Sequence, residues 1–535
     1  MNKSLRGLLF FFIGISIILR IYNLNWGAPY YFNPDERNIA SAIAQLHFPD
    51  RLNPEFFAYG SLPIYIIYFT GFIFSKDGYI TFEQSIIISR IYSAIFSLAL
   101  LPLIYLLGKK IRDETTGFIA VLLCAVSVGF IQFAHFGTFE MWLTFFSTLL
   151  LYLLLKFLDQ GKIRYFLLAS FVVGILTAVK VPSIVLLPLP FIVYLFKNKK
   201  KVEIKRTVPI LLIGVLILYI TYILTNPFFL ITPDAFKNSI NYESSVALGT
   251  LPVFYTGEFY NTTPVFYQFL HIYPFLLNPS LTIFFIPAFI YVLFLAYKTK
   301  RPSYLLLVTC YVLLFLSSAF FFVKWIRYMV PTLPFIYLFL AIMMSDVLDK
   351  TKNTTRHIIR AALIFIVLIS SIFGISYFIT AFGSSDTRIR ASQWGREHIP
   401  HDARILSEVY DLGIVPFNST FSNITLFNTY DLDNDNTTKT QNDLAIALQK
   451  ADYIILPSQR IVQVRTTNQK QFPKGHMFYT ALLNNQLSFT KIYETECNAF
   501  CKITYLNDPI FNLEQTANVF DRPSVMIFKK DANKN

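Results

Sequence analysis

The chain has 535 residues, enough by length for two or three soluble domains, but 54% are hydrophobic, only 15% are charged, and mean hydropathy is +0.50. A fold this apolar would expose too much greasy surface to water, so most of it must face lipid, and an ordinary soluble protein is excluded. The net charge of +14 does not point to nucleic acid, because the Lys and Arg residues fall in short clusters between apolar runs rather than along one stripe.

A membrane-spanning helix needs about 20 mainly apolar residues. Roughly eleven such runs follow one another, near 5–22, 86–108, 116–133, 140–158, 164–180, 183–197, 207–225, 277–297, 303–322, 328–347 and 358–380. The first resembles a signal peptide. No small-residue cleavage site follows it, and Arg20-Ile21-Tyr22 continues the segment, so it reads as an uncleaved span. The fifth and sixth are short and are separated only by Lys180-Val181-Pro182.

Orientation follows from the bias of Lys and Arg toward cytoplasmic loops. With the N-terminus inside, those loops hold Lys109, Lys110 and Arg112; Lys156, Lys162 and Arg164; Lys197 to Arg206 with its four further lysines; Lys298, Lys300 and Arg301; and Lys350, Lys352, Arg356 and Arg360. The opposite loops are poorer in basic residues for their length. The exceptions are Lys180, Lys324 and Arg327. An odd number of spans then puts the C-terminal part outside the cytoplasm.

Two long loops, about 23–85 and 226–276, lie on that outer side. The first carries an apolar run from Leu62 to Phe74, too short to span and suited to a helix lying in the interface. Residues 1–382 form the expected membrane domain. Residues 383–535 have a different composition, polar and rich in Asn, Asp and Thr, with turn clusters such as Asp431 to Asn436. Asp386 to His398 predicts an amphipathic helix, and Ala403 to Leu406, Asp452 to Leu456 and Ser524 to Phe528 predict strands of a small outer α/β domain. Cys124 and Cys310 fall within spans. Cys497 and Cys501, four residues apart in the tail, are either unrelated thiols or a disulfide of an oxidising compartment.

Ionisable groups at membrane depth are costly, about 2.5–3.5 kcal/mol at a span centre on insertion scales, so those that persist invite a functional reading. Several gather at the outer end. Asp35 and Glu36 follow the first span in Asn33-Pro34-Asp35-Glu36, where a helix start favours acids. Glu140 opens the fourth span, Lys180 ends the fifth, and Arg327-Tyr328 precedes the tenth. Each has a plainer alternative: a capping acid, a solvated helix end, a snorkelling lysine, an aromatic-belt anchor. His47, His135 and His271 share that side without metal-like spacing. Carboxylates can deprotonate a hydroxyl, and cations at headgroup depth can hold a lipid phosphate. The set suits transfer of a sugar from a lipid phosphate to an acceptor outside the cytoplasm. The cytoplasmic loops carry no P-loop or Rossmann glycine motif, which speaks against an ATP-driven pump.

The order of these pieces resembles the GT-C superfamily of polyprenyl-phosphate-sugar glycosyltransferases, nearest to the protein O-mannosyltransferases and the aminoarabinose transferases. Four segments carry the resemblance: Pro34-Asp35-Glu36; Arg90 in Ile88 to Tyr92, with Glu140; Gly174 to Lys180; and Arg327-Tyr328 followed by Pro331 and Pro334. It implies an α-helical polytopic GT-C fold of about eleven transmembrane helices with the C-terminal α/β domain outside. It implies Asp35 as catalytic base, Glu36 as its neighbour and Glu140 as second acid. Lys180, Arg327 and Arg90 then contact the donor phosphate, and Tyr59 and Tyr328 the substrates. The implied partners are the bilayer, a polyprenyl-phosphate sugar and an acceptor protein, lipid or glycan. The resemblance makes no cofactor certain beyond the lipid-linked sugar donor and leaves a divalent metal open. One departure stands out: where some relatives carry a lysine in a Lys-Pro-Pro-Leu-Tyr-type stretch, Phe56 to Tyr65 here has none. The rival readings are a transporter or lipid flippase, expected to hold its charges in mid-span, and an envelope scaffold with an inert membrane part.

Overall fold

The computed structural model describes residues 3–75, 77–199, 203–351, 353–435 and 437–531. Lys200, Lys201, Lys352 and Asn436 of the sequence reading lie outside the described residues.

The apolar runs become helices in the expected order. The N-terminal part comprises α1 (Lys3–Ile21), α2 (Pro34–Ala44), α3 (Ser61–Phe74), α4 (Phe82–Ile111), α5 (Glu114–Ala125), α6 (Val128–His135), α7 (Glu140–Gln160), α8 (Ile163–Val179), α9 (Leu189–Asn198) and α10 (Ile204–Thr225). After the second long loop, with its short helix α11 (Phe228–Ile231), its longer α12 (Pro233–Leu248) and the turn α13 (Tyr273–Leu276), come α14 (Pro279–Thr299), α15 (Pro302–Ala319), α16 (Leu333–Lys350) and α17 (Asn353–Ala381). Among the described residues eight helical segments are long and apolar enough to cross a membrane, or nine if the bent pair α5–α6 is one span. The shorter apolar helices α1 and α8 complete the eleven expected runs. The third run is not the straight span its composition suggests. It bends by 54° between α5 and α6. The bend frees backbone groups that lipid could not satisfy. The guanidinium of Arg20, buried on α1, donates to the carbonyls of Cys124 and Ala125 at 2.8 Å each, and Ser127 Oγ accepts the Phe130 N–H. The Leu62–Phe74 run is α3, packed against α2, α4 and α8. At the far end of the bundle, Arg112 binds Asp346 and Asp349 and pulls the ends of α4 and α16 together.

The tail opens with α18 (Thr387–His398), the helix expected over Asp386 to His398, with Asp386 as its cap. Its five strands, β1 (Ile405–Glu408), β2 (Ile424–Phe427), β3 (Tyr453–Leu456), β4 (Phe489–Glu494) and β5 (Met526–Lys530), form one mixed sheet in the order β2-β1-β3-β5-β4. β1 runs parallel to β2 and β3, and β5 runs antiparallel to β3 and β4. β2 and β4 were not legible in the sequence, because both are edge strands with little buried surface. Alternate side chains supply two cores. Ile405, Tyr453, Ile455 and Ile527 face α18, and Leu406, Ile454, Leu456, Met526 and Phe528 pack with α19 (Lys439–Lys450), α20 (Arg460–Thr467) and α21 (Pro473–Leu483). Burial on both faces explains why β3 is apolar throughout. Cys497 and Cys501 form a disulfide at the start of α22 (Ala499–Thr504), which rests on α17. A further anchor is buried Asp521, which accepts from Gln132 of α6 at 3.1 Å and from Tyr377 of α17. These contacts seat the tail on the end of the bundle where the named acids and bases lie.

Candidate active site

The site begins at the first turn of α2. Asn33 caps this helix, its side chain accepting the backbone N–H groups of Asp35 and Glu36. The cap role is therefore filled by Asn33, and the two acids, one residue apart, point in different directions.

Glu36 turns inward. Its carboxylate takes two bonds from Arg90, Nε to Oε1 at 2.9 Å and Nη2 to Oε2 at 2.7 Å, and accepts the Gly137 N–H as well. The remaining Arg90 nitrogen donates to the carbonyls of Leu24 and Trp26, and the guanidinium lies 4.4 Å over the Trp26 ring. Both side chains are buried, with 0% and 1% exposure. Neither Arg90, expected at the donor phosphate, nor Glu36, expected beside the base, lines the cavity shared by Asp35, Glu140, Lys180 and Arg327. Together Arg90 and Glu36 fasten α2 to α4 and to the loop before α7. Gly137 is required there, since a Cβ would stand 2.8 Å from that of Ser89.

Asp35 turns outward and forms an ion pair with Arg327, which follows α15 across the cavity. Glu140, at the start of α7, pairs with Lys180 at 3.2 Å. Lys180 stands 5.2 Å over the Tyr59 ring and 5.4 Å over that of Tyr328, and Arg327 lies 4.4 Å over Trp325. Asp35, Tyr59, Glu140, Lys180, Arg327 and Tyr328 all line one cavity of about 640 Å³. Burial pushes the Tyr59 phenol well up, with Asp35 adding to the shift, so it stays a neutral hydroxyl. Gly60 permits the arrangement. Its N–H donates to the Val179 carbonyl at 3.0 Å, and a Cβ would meet the Ala178 carbonyl oxygen at 1.9 Å. The first loop thus lies flat on the end of α8 and brings Tyr59 to Lys180.

Two oppositely charged pairs at the mouth of a helical bundle can exchange partners with an entering anion. A phosphate that takes Arg327 and Lys180 would leave Asp35 and Glu140 without their cations and open to another partner.

The histidines stay outside this set. His135 is buried, bonded to the carbonyls of Ile131 and Tyr22. His47 stacks on Tyr79, and His271 contacts the Asn512 carbonyl. Among the described residues no three His, Cys, Asp or Glu side chains gather as a metal-ligand set. Sequence reasoning missed the cavity's other wall: Tyr242 and Glu243 from α12, Phe254 and Tyr255, and Tyr410, Asp411 and Arg460 from the tail. The available signal was positional, since Tyr410 and Arg460 closely follow the strands β1 and β3.

A family model described as dolichyl-phosphate-mannose-protein mannosyltransferase matches residues 74–224. A comparison with curated proteins gives no match. Among solved structures, the oligosaccharyltransferase of Archaeoglobus fulgidus superposes with a TM-score of 0.54 at 14% identity, over 98% of this chain and 88% of that one. The same enzyme, AglB, in complex with an inhibitory peptide and a dolichol-phosphate, gives 0.50 at 14% identity over 99% and 88%. ArnT from Cupriavidus metallidurans bound to undecaprenyl phosphate gives 0.46 at 10% identity over 98% and 97%. The fold is that of the GT-C glycosyltransferases, as the order of motifs implied.

Proposed function

We propose that the protein is an inverting glycosyltransferase that moves a sugar from a polyprenyl-phosphate-linked donor to a hydroxyl of an extracytoplasmic protein, lipid or glycan. The observation that carries this reading is the sharing of one cavity by the Asp35–Arg327 and Glu140–Lys180 pairs. The match to a dolichyl-phosphate-mannose family and the dolichol-phosphate held by the similar archaeal enzyme support a lipid-phosphate donor.

Lys180 and Arg327 hold the donor phosphate. The acceptor oxygen attacks the anomeric carbon from the opposite side, the carbon–oxygen bond to phosphate breaks, and polyprenyl phosphate leaves with the electron pair. Asp35 takes the acceptor proton. Glu140 keeps Lys180 in place and is the second acid. Tyr59 and Tyr328 flank Lys180 and wall the sugar. Residues 1–382 are the transferase unit, and residues 383–535 roof it. We place the N-terminus in the cytoplasm and the site and tail outside, because the Lys and Arg clusters favour the far end of the bundle and the Cys497–Cys501 disulfide suits an oxidising compartment.

The test is release of polyprenyl phosphate from a panel of polyprenyl-phosphate sugars by the purified protein in lipid nanodiscs. Release from one donor is expected. No release from any donor, even with cell-envelope extract supplied as acceptor, contradicts the proposal and favours a transporter, for which flux into sealed vesicles is the assay.

A further inference from the structure

The tail does more than cover the membrane site. In an open α/β sheet, ligands bind outside the carboxyl ends of parallel strands, where successive connections leave in opposite directions. The parallel part of this sheet has the order β2-β1-β3. The chain leaves β1 toward β2 on one side, and leaves β3 toward β4 at the far edge. The crevice between the carboxyl ends of β1 and β3 is thus such a switch point. Tyr410 and Asp411 follow β1, and Ser458 and Arg460 follow β3. Ser458 Oγ donates to Asp411 across the crevice. Tyr410, Asp411 and Arg460 line the same cavity as Asp35 and Arg327.

Arg460 is the unusual member. Its guanidinium makes no ion pair and no side-chain hydrogen bond among the described residues, and its buried Nε has no partner. It rests on aromatic faces instead, 5.6 Å from the Phe254 ring centroid and 5.9 Å from that of Tyr255. The nearby acids do not claim it. Asp411 is bound to Ser458 and the Gly413 N–H. Glu258 accepts the Gln515 N–H at 3.2 Å, and burial beside Glu514 pushes its carboxyl well up, against the opposing pull of Arg460. Arg460 also opens α20, where the helix dipole disfavours a cation unless an anion answers it. A planar cation with free donors in an aromatic-walled crevice matches a carboxylate or phosphate.

We propose that the carboxyl-end crevice of the tail sheet is an acceptor subsite and that Arg460 selects acceptors bearing an anionic group. This rests on the transferase reading for the word acceptor, but the binding it asserts can be measured without turnover. The membrane-side cations hold the donor phosphate, so the tail-side cation serves the other substrate, and the two anions stay apart.

Saturation-transfer NMR with the full-length protein in nanodiscs tests it, using methyl β-glucuronide against methyl β-glucoside as probes. The wild type is expected to bind the glucuronide more tightly. R460Q should weaken it by about tenfold or more, the worth of a charge-assisted hydrogen bond, while leaving the glucoside unchanged. R460K, which keeps the charge, should retain part of the preference. Equal binding of the two probes by the wild type, or no saturation of the glucuronide, overturns the proposal. So does an R460Q protein of wild-type thermal stability that still prefers the glucuronide, which would assign the anion to Lys180 and Arg327. If R460Q fails to fold, the wild-type preference and its reduction in R460K decide. Failure of sugar transfer leaves these binding results standing.

Discussion

The carboxylate of Asp35 and the guanidinium of Arg327 lie 292 positions apart in the sequence and meet as one ion pair across the mouth of the cavity. The pairing orients both groups toward the cavity that they line. A donor phosphate that draws Arg327 away would free the Asp35 carboxylate for the acceptor hydroxyl as the leaving group is seated.

That account makes Arg327 a donor-binding residue. Arg327→Ala is expected to weaken binding of polyprenyl phosphate by about 10- to 100-fold, the range for losing charge-assisted bonds to phosphate. Arg327→Lys should recover only part of this, since a point charge cannot copy the fork. Titration of nanodisc protein with fluorescent polyprenyl phosphate measures both. Wild-type affinity in Arg327→Ala would move the phosphate elsewhere.

Arg90 answers differently. It is locked to Glu36 inside the protein, so Arg90→Ala leaves an unpaired buried carboxylate, a loss of about 3–5 kcal/mol. The expected result is a sharply lower melting temperature with near-normal turnover per folded molecule. Normal melting with lost donor binding would return Arg90 to the phosphate site.

Gly60→Ala places a methyl group against the Ala178 carbonyl, where backbone rather than a flexible side chain must yield. The first loop should lift from α8 and separate Tyr59 from Lys180. A raised KM for the donor and a lowered melting temperature are expected, and kinetics indistinguishable from wild type would show that the loop need not lie flat.

The tail carries a pH-dependent term at Glu408, at the end of β1. Burial pushes its carboxyl from 4.5 up to about 7, against hydrogen bonds from Thr429 and Tyr479 that favour the ionised form. The folded state therefore holds this proton more tightly than the unfolded chain. Its contribution is fully present below pH 4.5 and is lost as pH rises to about 7. Glu408→Gln keeps a neutral side chain at every pH. It should gain on the wild type by up to roughly 3 kcal/mol at pH 8, with the gain vanishing at pH 4. Thermal unfolding of the full-length variants across that range reads the difference, and a constant offset would contradict it.

Much of the fold was legible because lipid leaves few choices: a run of apolar residues must be a helix, and all eleven runs are. The 54° break of the third run was not, because it depends on Arg20 of another helix reaching the carbonyls of Cys124 and Ala125. In the site, cost was the guide. Asp35, Glu140, Lys180 and Arg327 stood out as charges at membrane depth, and the structure brings them together. Cost alone could not separate Asp35 from Glu36, adjacent in sequence, since only the packing of Arg90 decides which one turns inward. Cost gave no sign of Arg460, since an arginine in a polar tail costs nothing until the sheet folds it against aromatic rings; only its place after β3 pointed to it.

The central claim is that Asp35 is the base. The direct measurement is single-turnover release of polyprenyl phosphate by Asp35→Asn beside the wild type, with donor binding measured on the same nanodisc samples. The account predicts loss of turnover by a factor of about 100 or more, as for removal of a general base, with donor binding retained or tightened because Arg327 is set free. Near-normal turnover in Asp35→Asn would contradict it.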